Sequence, residues 1–329
     1  MDLVAATPSI RAMADLATPM SIRVAATLGL VEHAGNAGAT AERLAALTGT
    51  SAPALGRLLD HLVTVGVFEH DARSGRFRPT SLGTQMDEVR LLLDINAAGG
   101  RAELAFVELL GTVTTGAPAY PRRYGREFWA DLDAEPELRR TFDAQMNWRF
   151  ETQASQIAER FDWGRFPEIL DVGGGNGMVL EAILRAHPGV RGRVLDLPPS
   201  AEAAADRFAA AGLGDRAGAV AGSFFEPLPA GADAYLLCDI LHDWDDEHAR
   251  AILAECRRAA APDGTVLVIE AVRGQGVDTT VDLFMLMCFG GRERTIAELT
   301  DLAADLGLTP RGSAPVSDGR TVLELAVTA

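Results

Sequence analysis

The segment Ile169–Gly177, ILDVGGGNG, constrains this chain more than any other. An apolar run that ends in clustered glycines and passes into the helical pattern Met178–Ala186 reads as strand, tight turn and helix, the opening unit of a doubly wound α/β sheet. Glycine lets the backbone approach a ligand without interference from Cβ, and the start of the helix offers unpaired N–H groups. A second apolar run ends at Asp196, about twenty residues on, where a carboxylate can accept from ribose hydroxyls. The glycine spacing separates the cofactors that such a turn can hold. A dinucleotide G-x-G-x-x-G starting at Gly173 needs a third glycine where Met178 stands, whereas G-x-G-x-G fits Gly173, Gly175 and Gly177. The pattern favours S-adenosyl-L-methionine over a nicotinamide dinucleotide.

The 329 residues suffice for about two domains, and 48% hydrophobic with 23% charged residues is a globular composition throughout. The opening residues lack a basic region followed by an apolar one, and no run approaches the ~18 apolar residues of a membrane span, so a cytoplasmic protein is expected. Cys238, Cys256 and Cys288 are odd in number and lack C-x-x-C spacing, which points to free thiols. A net charge of −16 disfavours nucleic acid as a partner.

Residues 1–90 read as a mostly helical winged-helix domain. Thr40–Leu47 and Ala52–Val65 are amphipathic helices, Gly66 stops the second, and Val67–His70 and Arg76–Pro79 are strand-like runs around Ser74 and Gly75. The second helix carries only Arg57 as a cation, beside Asp60 and His61, so dimerisation is the better reading than DNA binding. Residues 91–163 read as a helical linker and substrate-pocket segment, interrupted by a loop at Gly116–Gly125. Phe128, Trp129, Phe142, Met146, Trp148 and Phe150 in or near it pack a core or wall an aromatic-ligand pocket. Residues 164–329 form the α/β domain, with strands expected at Glu168–Val172, Arg193–Leu197, Ala219–Gly222, Ala234–Asp239, Thr265–Ala271 and Thr321–Val327. In such a sheet ligands gather beyond the carboxyl ends of the strands.

After the fourth of these runs comes LHDWDDEH, Leu241–His248, preceding a helix to about Ala261. His242 is thereby placed at the crevice, and with an ordinary pKa of ~6.5 it is mostly neutral at pH 7 and suited to a general base. Asp245, Asp246 and His248 read as helix capping and first-turn charge. His242 and His248 do not share a helix face, which disfavours a metal. Glu270 ends an apolar strand, where it needs a hydrogen-bond partner such as an imidazole N–H. Glu293, in GGRERT, either approaches the same ring or belongs with Arg292 and Arg294 to a solvated turn.

In order along the chain, DVGGGNG, LDLP, GSFFEPLP, LHDWDDEH, VIEA and GGRERT resemble the S-adenosylmethionine-dependent small-molecule O-methyltransferases, with a winged-helix dimerisation domain ahead of a Rossmann-like class I methyltransferase sheet. The similarity is strongest to bacterial enzymes acting on aromatic polyketides and naphthoic acids. It implies a homodimer of antibiotic or other secondary metabolism that methylates a phenolic hydroxyl, with His242 as base, Glu270 and Glu293 flanking it, and no metal. It further implies cofactor contacts from Gly173, Gly175, Asp196, Leu197, Ser223, Phe224, Cys238 and Trp244. Substrate contacts would come from Trp129, Phe142, Met146, Met285 and Phe289, and from Arg11 if the substrate is an aromatic acid. Ser223 stands where many relatives carry an acid that meets the adenine. The alternatives are a methyltransferase fold diverted to hydroxylation or decarboxylation, methylation at nitrogen or carbon, and a winged-helix transcription regulator.

Overall fold

The computed structural model describes residues 9–260, 264–276 and 278–327. The chain divides into two compact units, Met1–Leu104 with Glu135–Phe142, and Ala105–Ala134 with Asp143–Ala329. The expected linker, 91–163, is thus shared between them.

In the first unit the helix Ala41–Thr48 begins where the Thr40 hydroxyl accepts the Arg43 N–H and ends at Gly49, whose φ of 67° suits only a residue without Cβ. The helix Ala52–Thr64 follows, with proline in its first turn. Leu44, Leu55, Leu59 and Leu62 from these two helices are buried with Phe68 and Phe77. The aromatics lie in β2 (Phe68–Asp71) and β3 (Arg76–Pro79), which pair antiparallel as expected of the wing. A two-residue strand, β1 (Ala39–Thr40), joins the other edge of β3; it is too short to leave a period in the sequence.

In the second unit, five parallel strands carry the site: β4 (Glu168–Val172), β5 (Arg191–Asp196), β6 (Ala217–Ala221), β7 (Ala234–Cys238) and β8 (Thr265–Glu270). Their side chains alternate between two cores. Leu170, Val172, Tyr235, Leu237, Val266 and Val268 face one, and Ile169, Val194, Leu236, Leu267 and Ile269 face the other. Burial on both faces explains why β4, β7 and β8 read as apolar runs.

Two further strands, β9 (Leu308–Ser317) and β10 (Arg320–Val327), complete the order β6-β5-β4-β7-β8-β10-β9, both antiparallel to their neighbours. β10 was expected and β9 was not. It contains Pro310 and Pro315, is largely exposed, and pairs through register shifts, which an edge strand tolerates and a central one does not. A second correction concerns Gly116–Gly125, expected as a loop. Its residues Ala119–Tyr124 form a helix opened by Pro118 and closed at Gly125 with φ 77°. The helix after the HDW segment runs Asp246–Ala259; residue 261 lies outside the described residues, as do residues 1–8. No helix among the described residues is long and apolar enough to cross a membrane.

Candidate active site

The strand order reverses between β4 and β7, which opens a crevice at their carboxyl ends. The glycine turn leaves β4 on one side of it and the His242 turn leaves β7 on the other.

At the glycine turn, Gly173, Gly175 and Gly177 all have positive φ, at 74°, 58° and 78°. A Cβ on Gly173 would lie 2.5 Å from Ile240 Cδ1, and one on Gly174 would lie 2.4 Å from Asp171 Oδ2. At Gly175 nothing lies within 4 Å, so only backbone conformation demands glycine there. Asp196 ends β5 with each carboxylate oxygen accepting one backbone N–H, from Gly175 at 2.8 Å and from Leu197 at 2.7 Å. Those bonds orient the carboxylate at the end of the strand. Beneath the turn lies an acid that sequence reasoning passed over. Asp171 is 1% exposed and neither of its side-chain oxygens has a protein partner. Burial, helped by the charge of Asp196, pushes its carboxyl up to about 7. An orphaned buried carboxylate under a backbone cradle fits the cationic end of S-adenosylmethionine.

Phe224 lies within 3.4 Å of the Cβ position of Gly173 and meets Trp244 edge-on at 5.9 Å, so three residues expected at the cofactor cluster together. Ser223 caps its own turn, its hydroxyl accepting the Phe225 N–H at 3.2 Å. The hydroxyl proton remains the donor available to a ligand. Leu197 is 42% exposed beside Asp196, and Cys238 ends β7, where burial and the neighbouring Asp239 charge keep its thiol well above the ordinary range.

His242 is 3% exposed and lies in a single 3-10 turn, Leu241–Asp243. Its Nδ1 stands 3.0 Å from Glu293 Oε1; a carboxylate only accepts, so Nδ1–H donates and Nε2 is the nitrogen at which the ring gains or gives up its second proton. Glu293 is 1% exposed and Arg294 is fully buried, so neither belongs to a solvated turn. The expectation for Glu270 needs correcting. Its Oε1 accepts the backbone N–H of His242 at 3.0 Å rather than a ring N–H, because β8 delivers it beneath the turn and Glu293 holds the ring from the other side. Asp243 Oδ1 stands 3.6 Å from Nε2.

This acidic surround changes the proton affinity of the ring. Burial alone would lower it, but the Asp243 charge and the Glu293 hydrogen bond outweigh burial and raise His242 to about 10. The same cluster pushes Glu270 up to about 7 and Asp243 to about 6, in both cases mainly through burial. The expectation of a neutral imidazole at pH 7 therefore fails for the ligand-free chain. Asp239, just before the turn, is the non-glycine residue with positive φ among those described, at 52°. Buried as it is, it stays far below the ordinary carboxylate range because Arg320 chelates it and Arg149 lies 3.4 Å away.

Of the residues expected at the substrate, Trp129 and Phe289 stack at 5.4 Å with 18° between their planes, and Phe128 meets Phe289 edge-on at 5.0 Å. Met285 is buried one helical turn before Phe289, whose N–H bonds its carbonyl. Met146 is half-buried in the same unit, whereas Arg11 and Phe142 belong to the first unit. Asp245 caps its helix by accepting the His248 N–H at 2.9 Å. Among the described residues no group of three or more metal-ligating side chains is arranged around a common point.

Residues 106–309 match the O-methyltransferase domain family, and residues 10–86 match the O-methyltransferase dimerisation domain. The chain is 48% identical to the 2,7-dihydroxy-5-methyl-1-naphthoate 7-O-methyltransferase of Streptomyces carzinostaticus over 94% of each chain. It is 45% identical to aclacinomycin 10-hydroxylase RdmB of Streptomyces purpurascens over 91% of this chain and 83% of that one. Among solved structures, the O-methyltransferase NcsB1 from neocarzinostatin biosynthesis, in complex with S-adenosylmethionine and 2-hydroxy-5-methyl naphthoic acid, superposes with a TM-score of 0.93. That match has 47% identity and covers 98% of this chain and all of the other. With a glycine cradle, a carboxylate held at the end of β5 and a buried histidine at one topological switch point, and with these matches over nearly its whole length, the chain belongs to the O-methyltransferase family.

Proposed function

We propose that the chain transfers the methyl group of S-adenosylmethionine to a phenolic hydroxyl of a hydroxylated aromatic acid of the naphthoic type, with His242 removing the phenolic proton. The observation that carries the reading is the bond from His242 Nδ1 to Glu293, which leaves Nε2 as the nitrogen that takes up the proton. Bound S-adenosylmethionine supplies a methyl group already activated for attack and a fixed positive charge. Asp171 meets positive charge at the methionine end, Asp196 the ribose, and Gly173, Gly175, Leu197, Ser223, Phe224, Cys238 and Trp244 surround the rest. Positive charge in the crevice opposes the carboxylates that raise His242, so the ring releases its proton more readily in the loaded site. A phenol has a pKa of ~10, so an imidazole whose proton affinity is raised by its acidic surround is a better-matched base for it than a free one of ~6.5. Glu293 then holds the imidazolium, and Glu270 keeps the turn in place. Trp129, Phe289 and Met285, with Met146, wall an aromatic ring. The dimerisation domain favours a homodimer, and three free thiols suit the cytoplasm.

The similarity to a hydroxylase keeps a second reading in play, in which the cofactor is retained without methyl transfer. Purified protein incubated with S-adenosylmethionine and a panel of hydroxylated naphthoic and benzoic acids decides between them. A gain of one methyl matched by S-adenosylhomocysteine is expected; cofactor binding with an oxygenated or decarboxylated product and no S-adenosylhomocysteine overturns it.

A further inference from the structure

Arg294 has the second-largest fully buried side chain, after Trp163, and the reaction as described leaves it without a task. Four contacts engage its guanidinium. Nη1–H donates to the Leu241 carbonyl at 2.7 Å and Nη2–H to the Trp244 carbonyl at 2.7 Å, while Nε and Nη2 reach Asp246 Oδ1 at 3.1 and 2.8 Å. The two carbonyls bracket His242 and Asp243, so one rigid planar group spans the turn that carries the ring. The same segment closes on that turn a second time. Gly291 lies so near that a Cβ there would sit 2.1 Å from the His242 carbonyl oxygen and 2.5 Å from the Asp243 carbonyl carbon. Between Gly291 and Arg294 stands Glu293, whose backbone N–H donates to Asp282 at 2.8 Å and whose carboxylate holds Nδ1. The ring and its backbone are thus held by one short stretch of chain.

Resting on the reading of His242 as the base, we propose that Arg294 is the positioning residue of this active site: it fixes the Leu241–Trp244 turn from behind and so sets the direction of Nε2. A fork with donors in fixed directions is required, because lysine concentrates its donors at one atom and cannot span two carbonyls. Mere filling of space makes a different demand, since any long side chain would then serve.

The test compares Arg294→Lys in two backgrounds, with S-adenosylhomocysteine formation on an accepted hydroxynaphthoic acid as readout. In the wild-type background kcat is expected to fall about 100-fold, as for a misplaced reacting group, with S-adenosylhomocysteine affinity held within about threefold. In His242→Ala the same substitution is expected to change the residual turnover by less than about twofold, because there is no base left to position. Full kcat in Arg294→Lys, or the same proportional loss in both backgrounds, overturns the assignment. Failure of the base reading is seen separately, as full turnover in His242→Ala itself. Should Arg294→Lys not fold, Asp246→Asn loosens the guanidinium while leaving its carbonyl bonds, and about a fivefold loss confined to the background with His242 is expected. Unchanged kcat in that variant, or an equal loss in both backgrounds, overturns the proposal.

Discussion

At the scale of single residues, the site is a balance of buried charges, and its pH behaviour follows from their signs. Asp171 is an acid raised from an ordinary 3.8 to about 7 by burial, so its neutral form is the one the fold prefers. Its contribution to stability is complete below the unfolded value and is lost as pH rises toward 7, at an upper bound of about 4 kcal/mol. Asp171→Asn is therefore expected to raise the thermal midpoint of the ligand-free protein at pH 8, to leave it unchanged near pH 4, and to weaken cofactor binding. Differential scanning calorimetry with a binding titration checks all three. In His242 the fold prefers the charged form instead: the Asp243 charge and the Glu293 hydrogen bond outweigh burial and raise it to about 10. Glu293→Gln removes that support, so the ascending limb of the kcat/KM profile should move to lower pH while its plateau falls about tenfold or more. A limb that stays in place would remove Glu293 from the ring's proton balance. His242→Ala should lose about 100-fold or more in turnover and keep its affinity for S-adenosylhomocysteine, read by calorimetric titration.

At the scale of elements, the site depends on close approach between segments far apart in the chain. Gly291 permits the GGRERT stretch to lie against the HDW turn, where any side chain would strike backbone atoms that cannot rotate away. Gly291→Ala is expected to lower kcat by about 100-fold or to destabilise the fold by about 2 kcal/mol. Activity and a denaturation midpoint equal to wild type would show that the two segments move apart freely. The elements themselves differed in legibility. β4, β7 and β8 are apolar runs with clear ends, because both of their faces are buried. β9 was hidden, since a proline-bearing edge strand needs neither continuous apolarity nor a full set of N–H donors. The Ala119–Tyr124 helix was hidden because Pro118 and Gly125, which read as loop residues, are its two ends.

At the scale of the molecule, the match to a dimerisation domain meets an apolar surface. Ile10, Met13 and Leu16, within or bordering the matched residues, are 81%, 69% and 68% exposed. Large apolar side chains at such exposure in one short segment are suited to a second copy of the chain. The protein should sediment as two copies, with a thermal midpoint that rises with protein concentration. Met13→Asp is expected to weaken the dimer by about tenfold or more; an unchanged dissociation constant would move the interface elsewhere.

The sequence by itself determined the parallel sheet, the glycine cradle, Asp196 at the end of β5 and His242 at the crevice, because each rests on local pattern: an apolar run, a backbone that only glycine allows, or a residue placed at or just after a strand end. Tertiary structure alone decided how those parts are charged and held. Glu270 grips backbone rather than ring, Glu293 and Arg294 are buried rather than solvated, and Asp171 is an acid without a partner. Arg320 reaches Asp239 across 81 residues of chain. Proton affinity and hydrogen-bond partnership depend on distance and dielectric between segments remote in sequence, and neither quantity is written in the order of the residues.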